Sequence, residues 1–285
     1  MLVAPRSRPT ARQQRLGAEL RSLRETAGVS SATAAKALGV DATRISNIEA
    51  GRVGVNDERF RALAELYDCA DHAFLEALVE LGRTRRGRWW DVHRGTVSRG
   101  QIDLVEIETD ATELRTAQTT HIPGVFQTAE YARAIFRQAV PELPSHEVEE
   151  RVSFRLKRQE ILFRPRPVPF LAVVHEAALR MQFGGAAAAK RQLNHLLEAG
   201  DRASVTLLII PFAAGEFPGA GQTITYAAGP VPQLDTVILD ASHGPEILYS
   251  ETELAKYRAL LGRTVEIALG AEESREFLVG IIEDL

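Results

Sequence analysis

The stretch Ala42-Thr43-Arg44-Ile45-Ser46-Asn47 holds residue types suited to reading base-pair edges. A guanidinium such as that of Arg44 can bond guanine O6 and N7 together, and a carboxamide such as that of Asn47 can do the same with adenine N6 and N7. On a helix Ile45 and Ile48, three apart, both turn to a core and leave Ala42, Thr43, Arg44, Ser46 and Asn47 to other faces. Ser31 and Arg52 flank this set as further candidate contacts, and Arg6, Arg8 and Arg12 could form a basic arm on phosphates or in a minor groove. The competing readings are solvated polar positions on a short helix and a solvated tail. Glu49 is different: an acid beside phosphates is unfavourable, so it is expected to hold a structural hydrogen bond or ion pair.

Other chemistry fails on spacing. His175-Glu176 opens like a metal-binding helix, but Leu179 stands where the second histidine is needed. Gly219-Ala220-Gly221 resembles a dinucleotide loop until Ile224 occupies the third glycine position. Asp240, Ser242 and His243 are too close in sequence to converge on one reacting atom. There is no G-x-S-x-G elbow or phosphate-binding loop, and His93, His121, His146, His175, His195 and His243 show no ligand spacing. Neither a catalytic site, a metal nor a cofactor is expected. The single cysteine, Cys69, excludes an internal disulfide, and no apolar run is long enough to span a bilayer. With an N-terminus lacking the apolar core of a signal peptide, these features point to a cytoplasmic, nucleoid-associated location and no membrane partner.

The chain has 285 residues and a net charge of −4, unevenly placed: residues 1–88 carry +4 and the remainder −8. One half suits phosphates and the other does not. Thirty of the 34 basic residues are arginine, a bias that points to GC-rich coding and a high-GC bacterium. The expected organisation is a basic arm over 1–11, a helical domain over 12–82, a linker over 83–88 and a second domain over 89–285.

In the helical domain Leu16, Leu20 and Leu23 mark a first helix, with Arg15, Arg21 and Arg24 placed largely off its buried face. Ser30 or Ser31 caps a second helix, Gly39 makes a tight turn, and Asp41 caps a third. Asn56 caps a fourth helix with Phe60, Leu63, Ala64 and Tyr67 inward, and a fifth runs from Asp71. These five short helices, with Ala35, Leu38-Gly39-Val40, Ile45-Ser46, Ile48-Glu49 and Gly51, resemble the lambda-repressor-like, or xenobiotic-response-element, family of helix-turn-helix domains. The resemblance covers residues 12–81 and implies that the third helix enters the major groove of double-stranded DNA. Family members often carry glutamine in the first turn of the second helix, clamping a phosphate and an adenine. Ser31 stands there instead, so contacts at that point are expected to be weaker or different.

The second half alternates helices and strands, implying a mixed α/β or α+β domain with a central sheet. Strands are expected in ELRTAQTTHI, PVPFLAVVH, SVTLLII, QTITYAA, QLDTVILD and EILYS, with helices from Thr128 and over 145–163, 186–199, 250–262 and 271–283. Trp89-Trp90 reads either as a base-stacking platform or, preferably, as packing. Phe126, Tyr131, Phe170, Phe212, Phe217 and Tyr226 are candidates for a ligand cleft beside the sheet, or else for core. Trp89-Trp90, Pro123 to Thr128 with Tyr131-Ala132-Arg133, Arg151 to Gln159, Ile210-Pro211-Phe212 and Tyr257-Arg258 resemble a group of actinobacterial helix-turn-helix regulators with an uncharacterised C-terminal domain. That resemblance implies a homodimeric transcriptional regulator sensing a small-molecule effector or a small protein partner. The alternative it carries is an antitoxin-like protein that mainly holds a small partner and binds DNA as feedback.

Overall fold

The computed structural model describes residues 9–83, 87–219, 222–241 and 244–285. The chain divides into two compact units between Asp91 and Val92. Arg6, Arg8, residues 84–86 of the expected linker, Ala220-Gly221 and Ser242-His243 lie outside the described residues.

The first unit contains five helices: α1 (Ala11–Thr26), α2 (Ser31–Leu38), α3 (Ala42–Glu49), α4 (Asp57–Leu66) and α5 (His72–Gly82). Every N-terminus is capped by a short polar side chain accepting from the amide three residues on: Thr10, Ser30, Asp41, Asn56 and Asp71. Thr10 and Gln13 complete a reciprocal capping box. Ser30 caps α2, and Ser31 is its first residue. Gly39, at φ +63°, supplies the left-handed link from α2 to α3 that a side chain would oppose.

Two arginines expected outside the core of α1 are in it. Arg15 and Arg24 are buried, in line with Leu16 and Leu20. Burial is possible because each has a carboxylate: Arg15 Nε lies 2.7 Å from Glu19, and Arg24 bonds Glu49 through both Nε (2.6 Å) and Nη2 (3.0 Å). Gly17 lets α1 touch the end of α3, since a Cβ there would stand 2.4 Å from the Glu49 carbonyl oxygen and 2.7 Å from that of Ile48.

The second unit is built on a six-stranded mixed sheet of order β3-β2-β1-β4-β5-β6. Its elements in chain order are α6 (Arg99–Asp110), β1 (Glu113–Gln118), α7 (Ala129–Phe136), α8 (Ser145–Arg158), β2 (Phe170–His175), α9 (Glu176–Arg180), α10 (Ala186–Gly200), β3 (Val205–Ile210), β4 (Ile224–Ala228), β5 (Thr236–Ala241), β6 (Gly244–Leu248), α11 (Glu251–Glu266) and α12 (Ala271–Glu283). Strands β1, β2 and β3 are parallel and need the helical crossovers between them. Strands β4, β5 and β6 form an antiparallel meander whose first member pairs with β1. FLAVVH and VTLLII are near-continuous apolar runs because β2 and β3 are covered on both faces. Leu193 and Leu196 of α10 and Leu278 and Ile281 of α12 share a core with Leu114, Phe170, Ala172 and Val174 on one face. Leu254, Tyr257 and Leu261 of α11 pack with Ala117, Ile224 and Tyr226 on the other. Helix α6 is absent from the elements expected by pattern, because its buried side mixes Ile102 and Val105 with Asp103 and Glu108 and so breaks the apolar stripe.

Replacing Gly17 with Ala sets helix propensity, favouring Ala by about 1 kcal/mol, against a backbone clash. The clash should win, with a net loss of about 1–3 kcal/mol. Hydrogen exchange across α1 and α3 in the full chain measures it, and unchanged or increased protection would refute the close-approach argument.

Candidate nucleic-acid interface

Helices α2 and α3, joined through Gly39, form the helix-turn-helix. Asp41 Oδ1 accepts from the Arg44 amide at 2.7 Å and fixes the start of α3. Ile45 and Ile48 are 1% and 4% exposed, which orients the rest of this two-turn helix. Ala42, Thr43 and Ser46 are exposed, while Arg44 and Asn47 are half-buried. The Ser46 hydroxyl donates to the Ala42 carbonyl at 3.2 Å. The Arg44 Nε is buried without a hydrogen-bond partner, so the stem lies along the domain. Ser31 is half-buried and Arg52 exposed just beyond α3. The proposed base-reading residues thus share one helix, with Arg52 near its end.

Glu49 fills the structural role expected of it. Its hydrogen bond raises the pKa of Arg24, and the Arg24 Nη1 also donates to the Val29 carbonyl at 3.0 Å. Burial, reinforced by the Glu49 charge, pushes the neighbouring Tyr67 hydroxyl up to about 12.

Arg12 is a correction. It is part of α1, and its Nε donates to the Leu81 carbonyl at 2.6 Å while Nη2 bonds the Glu80 carbonyl. A cation there satisfies the open carbonyls ending α5 and complements the helix dipole, so Arg12 belongs to the folded unit and not to a flexible arm. Trp90 is 4% exposed and meets Trp89 edge to face at 5.6 Å, which leaves no paired platform for stacked bases.

The six aromatic residues expected around one cleft do not come together. Phe126, Tyr131 and Phe170 are buried in the core on one face of the sheet. Tyr226 lies on the other face with Phe217 packed against that cluster, and Phe212 is 56% exposed, edge-on to His175. Register explains the split: Phe170 pairs with Leu114 and Tyr226 with Arg115, and successive residues of β1 point to opposite faces. A cavity of about 260 Å³ does exist, but of the six only Phe170 lines it. Its polar wall includes Glu108, Thr116, Gln118, Gln127, Arg155, Arg158 and Asp240, none of them among the aromatic residues expected at a cleft. The sequence signal was the 4/3 spacing of Arg151, Arg155 and Arg158 along one side of α8.

A family model described as a domain of unknown function, DUF5753, matches residues 101–279, the greater part of the chain. The chain belongs to the DUF5753 family. That match runs from α6 into α12, and a helix-turn-helix domain model separately matches residues 15–78, from α1 into α5. No curated protein and no solved structure matches the chain. The DUF5753 protein therefore carries a helix-turn-helix domain, consistent with DNA binding, ahead of its mixed-sheet domain. Among the described residues no helix is long and apolar enough to cross a membrane.

If Arg12 caps α5, Arg12→Gln should destabilise the first unit by about 1 kcal/mol. The salt dependence of DNA binding should stay as in the unaltered protein, because no phosphate contact is removed. A shallower salt slope with unchanged stability would return Arg12 to the arm.

Proposed function

We propose that this DUF5753 protein is a sequence-specific transcriptional regulator, dimeric on DNA, whose second unit senses a small ligand. The observation that carries the reading is the helix-turn-helix match together with a capped, two-turn α3 presenting Thr43, Arg44, Ser46 and Asn47 around its buried isoleucines. The N-terminal residues of such a helix reach base edges in the major groove, where Arg44 suits guanine and Asn47 adenine. Ala42, with its small apolar side chain, suits a thymine methyl, and Ser31 and Arg52 suit phosphates.

The charge division supports a second unit held off the duplex. A net −8 over residues 89–285 gains nothing from phosphate. In this reading the second unit regulates and neither unit catalyses. A cytoplasmic, nucleoid-bound location belongs to the same reading, the arginine bias supports a high-GC, actinobacterial source, and the alternative is an antitoxin-like protein that mainly holds a small partner and binds DNA as autoregulation.

One short helix contacts few base pairs, so binding should use two copies on an inverted repeat with half-site centres about 34–36 Å apart or a multiple of that. Selection of operators from random sequence with the full chain identifies the site. Arg44→Ala and Asn47→Ala should each cost about 1–3 kcal/mol there and relax the preference at one base pair per half-site. Arg52→Gln should weaken binding evenly across sequences and lower the salt slope by about 1. Unchanged affinity and footprint in both base-contact variants would overturn the reading, and sedimentation as a monomer on DNA would remove the dimer.

A further inference from the structure

The three arginines that are buried as whole residues among the described residues, Arg15, Arg24 and Arg158, come with carboxylates. Arg15 has Glu19, Arg24 has Glu49, and Arg158 bonds Glu108 through Nε at 3.0 Å and Nη2 at 2.6 Å. Arg155, half-buried and open to the cavity beside Arg158, is paired differently. Its Nη1 donates to the neutral Gln127 Oε1 at 2.6 Å and its guanidinium lies 4.6 Å from the centre of the Phe136 ring, yet no carboxylate reaches it within ion-pair distance. Burial, with Arg158 nearby, pulls its pKa down to about 10, which still leaves it charged at neutral pH. A charge so placed is costly unless something pairs with it.

Arg155 lines the 260 Å³ cavity. The place in the fold is informative: β1 is the strand where the sheet changes from parallel to antiparallel, and the cavity lies at its carboxyl end, between Gln118 and the turn through Pro123-Gly124. Gly124 brings backbone close to both arginines, for a Cβ there would stand 3.4 Å from Arg158 Nη1 and 3.7 Å from Arg155 Cζ. The rim is fixed in advance. Gln127 Nε2 donates to the Ile122 carbonyl at 2.7 Å, and the fully buried Gln192 both donates to the Phe126 carbonyl and accepts from the Thr128 amide. The wall also holds His121, whose pKa is lowered by burial and the Arg155 charge, and two carboxylates that partly offset Arg155: Glu108, held in its pair with Arg158, and the exposed Asp240.

We propose that this cavity binds a small oxyanion, a carboxylate or phosphate group of a metabolite-sized ligand, with Arg155 as the cation that takes it and Gly124 as its close backbone neighbour. The site rests on the sensing reading for its purpose but not for its existence. The cavity is smaller than the usual span for drug-sized ligands, about 300–1,000 Å³, which limits the occupant to a small metabolite. A fork-shaped guanidinium matches both oxyanions, so geometry leaves the choice between them to experiment.

The test is calorimetric titration of the full-length protein with inorganic phosphate and, separately, with succinate, against sodium chloride at equal ionic strength. Saturable binding of either probe beyond chloride is expected, and the tighter one identifies the ligand as phosphorylated or carboxylic. Arg155→Gln should lose at least about tenfold in affinity, the scale of a charge-assisted pair, while Arg137→Gln, exposed and outside the cavity, should match the unaltered protein. Should Arg155→Gln fail to fold, Asp240→Asn decides: removing the competing carboxylate at an exposed position should tighten binding severalfold. No saturable response to either probe, wild-type affinity in Arg155→Gln, or no change in Asp240→Asn would overturn the site. Operator affinity measured with and without the binding probe separates the two ideas, since binding that leaves DNA affinity unchanged keeps the site and removes its regulatory purpose.

Discussion

Helix α3 is two turns long, and a helix of that length has almost no stability of its own. Burial of Ile45 and Ile48 holds it in the core, and its attachment to α1 is made by the bidentate Arg24–Glu49 pair and by the contact at Gly17. The pair is nearly dry, with side chains 11% and 10% exposed, so much of its Coulomb gain is offset by desolvation and its net contribution to stability is modest. Its value is geometric: two parallel hydrogen bonds admit one orientation, and a third, from Arg24 to the Val29 carbonyl, ties the same guanidinium to the start of α2. Gly51, at φ +67° beyond α3, repeats the close approach, since a Cβ there would meet the Gln13 carbonyl oxygen at 2.6 Å. The backbone of α1 is thus the surface against which the exposed residues of α3 are aimed.

The caps of this unit were readable in the sequence because capping is local: Asp41, Asn56 and Asp71 act on amides three residues away and need no tertiary partner. Arg24 was misplaced for the opposite reason. Its spacing of four from Leu20 and eight from Leu16 continues the buried stripe, but charge argues outward until the carboxylate 25 residues later is brought alongside. Arg12 went the same way, its partners being carbonyls 68 and 69 residues distant. Residue type alone could not reveal either pairing. The strands of the second unit were legible from their apolar runs, whereas the assembly of aromatic residues into one cleft required strand order and register, which no local pattern encodes.

Strand β1 has unlike neighbours, and its side chains record it. On one face Leu114 meets Phe170 of the parallel half and joins an apolar core, while Thr116 and Gln118 farther along turn polar. Thr116 donates to the Ile224 carbonyl at 2.7 Å, Gln118 donates to Thr116 at 2.9 Å, and Thr223 donates to Gln118 at 3.3 Å. Three polar side chains in a chain of mutual bonds interrupt the core without leaving that ladder open, and the interruption coincides with the cavity wall. Helices α6 and α8, tied by the buried Glu108–Arg158 pair, border the same space.

Gln127 shows why Arg155 is left without a carboxylate in ion-pair contact. A glutamate at that position would neutralise the guanidinium, as Glu108 does for Arg158. It would also lose a donor, because an ionised carboxylate only accepts. Gln127 uses both ends: Oε1 accepts from Arg155 at 2.6 Å while Nε2 donates to the Ile122 carbonyl at 2.7 Å, and its own carbonyl accepts from Gln159 at 2.6 Å. One carboxamide therefore orients the cation and clamps the turn above it, two tasks that a carboxylate could not combine. The consequence is a guanidinium whose hydrogen-bonding geometry is fixed by the fold while its charge is not, which is the condition an incoming anion needs. Preorganisation of this kind removes the ordering cost that a flexible arginine would impose on binding.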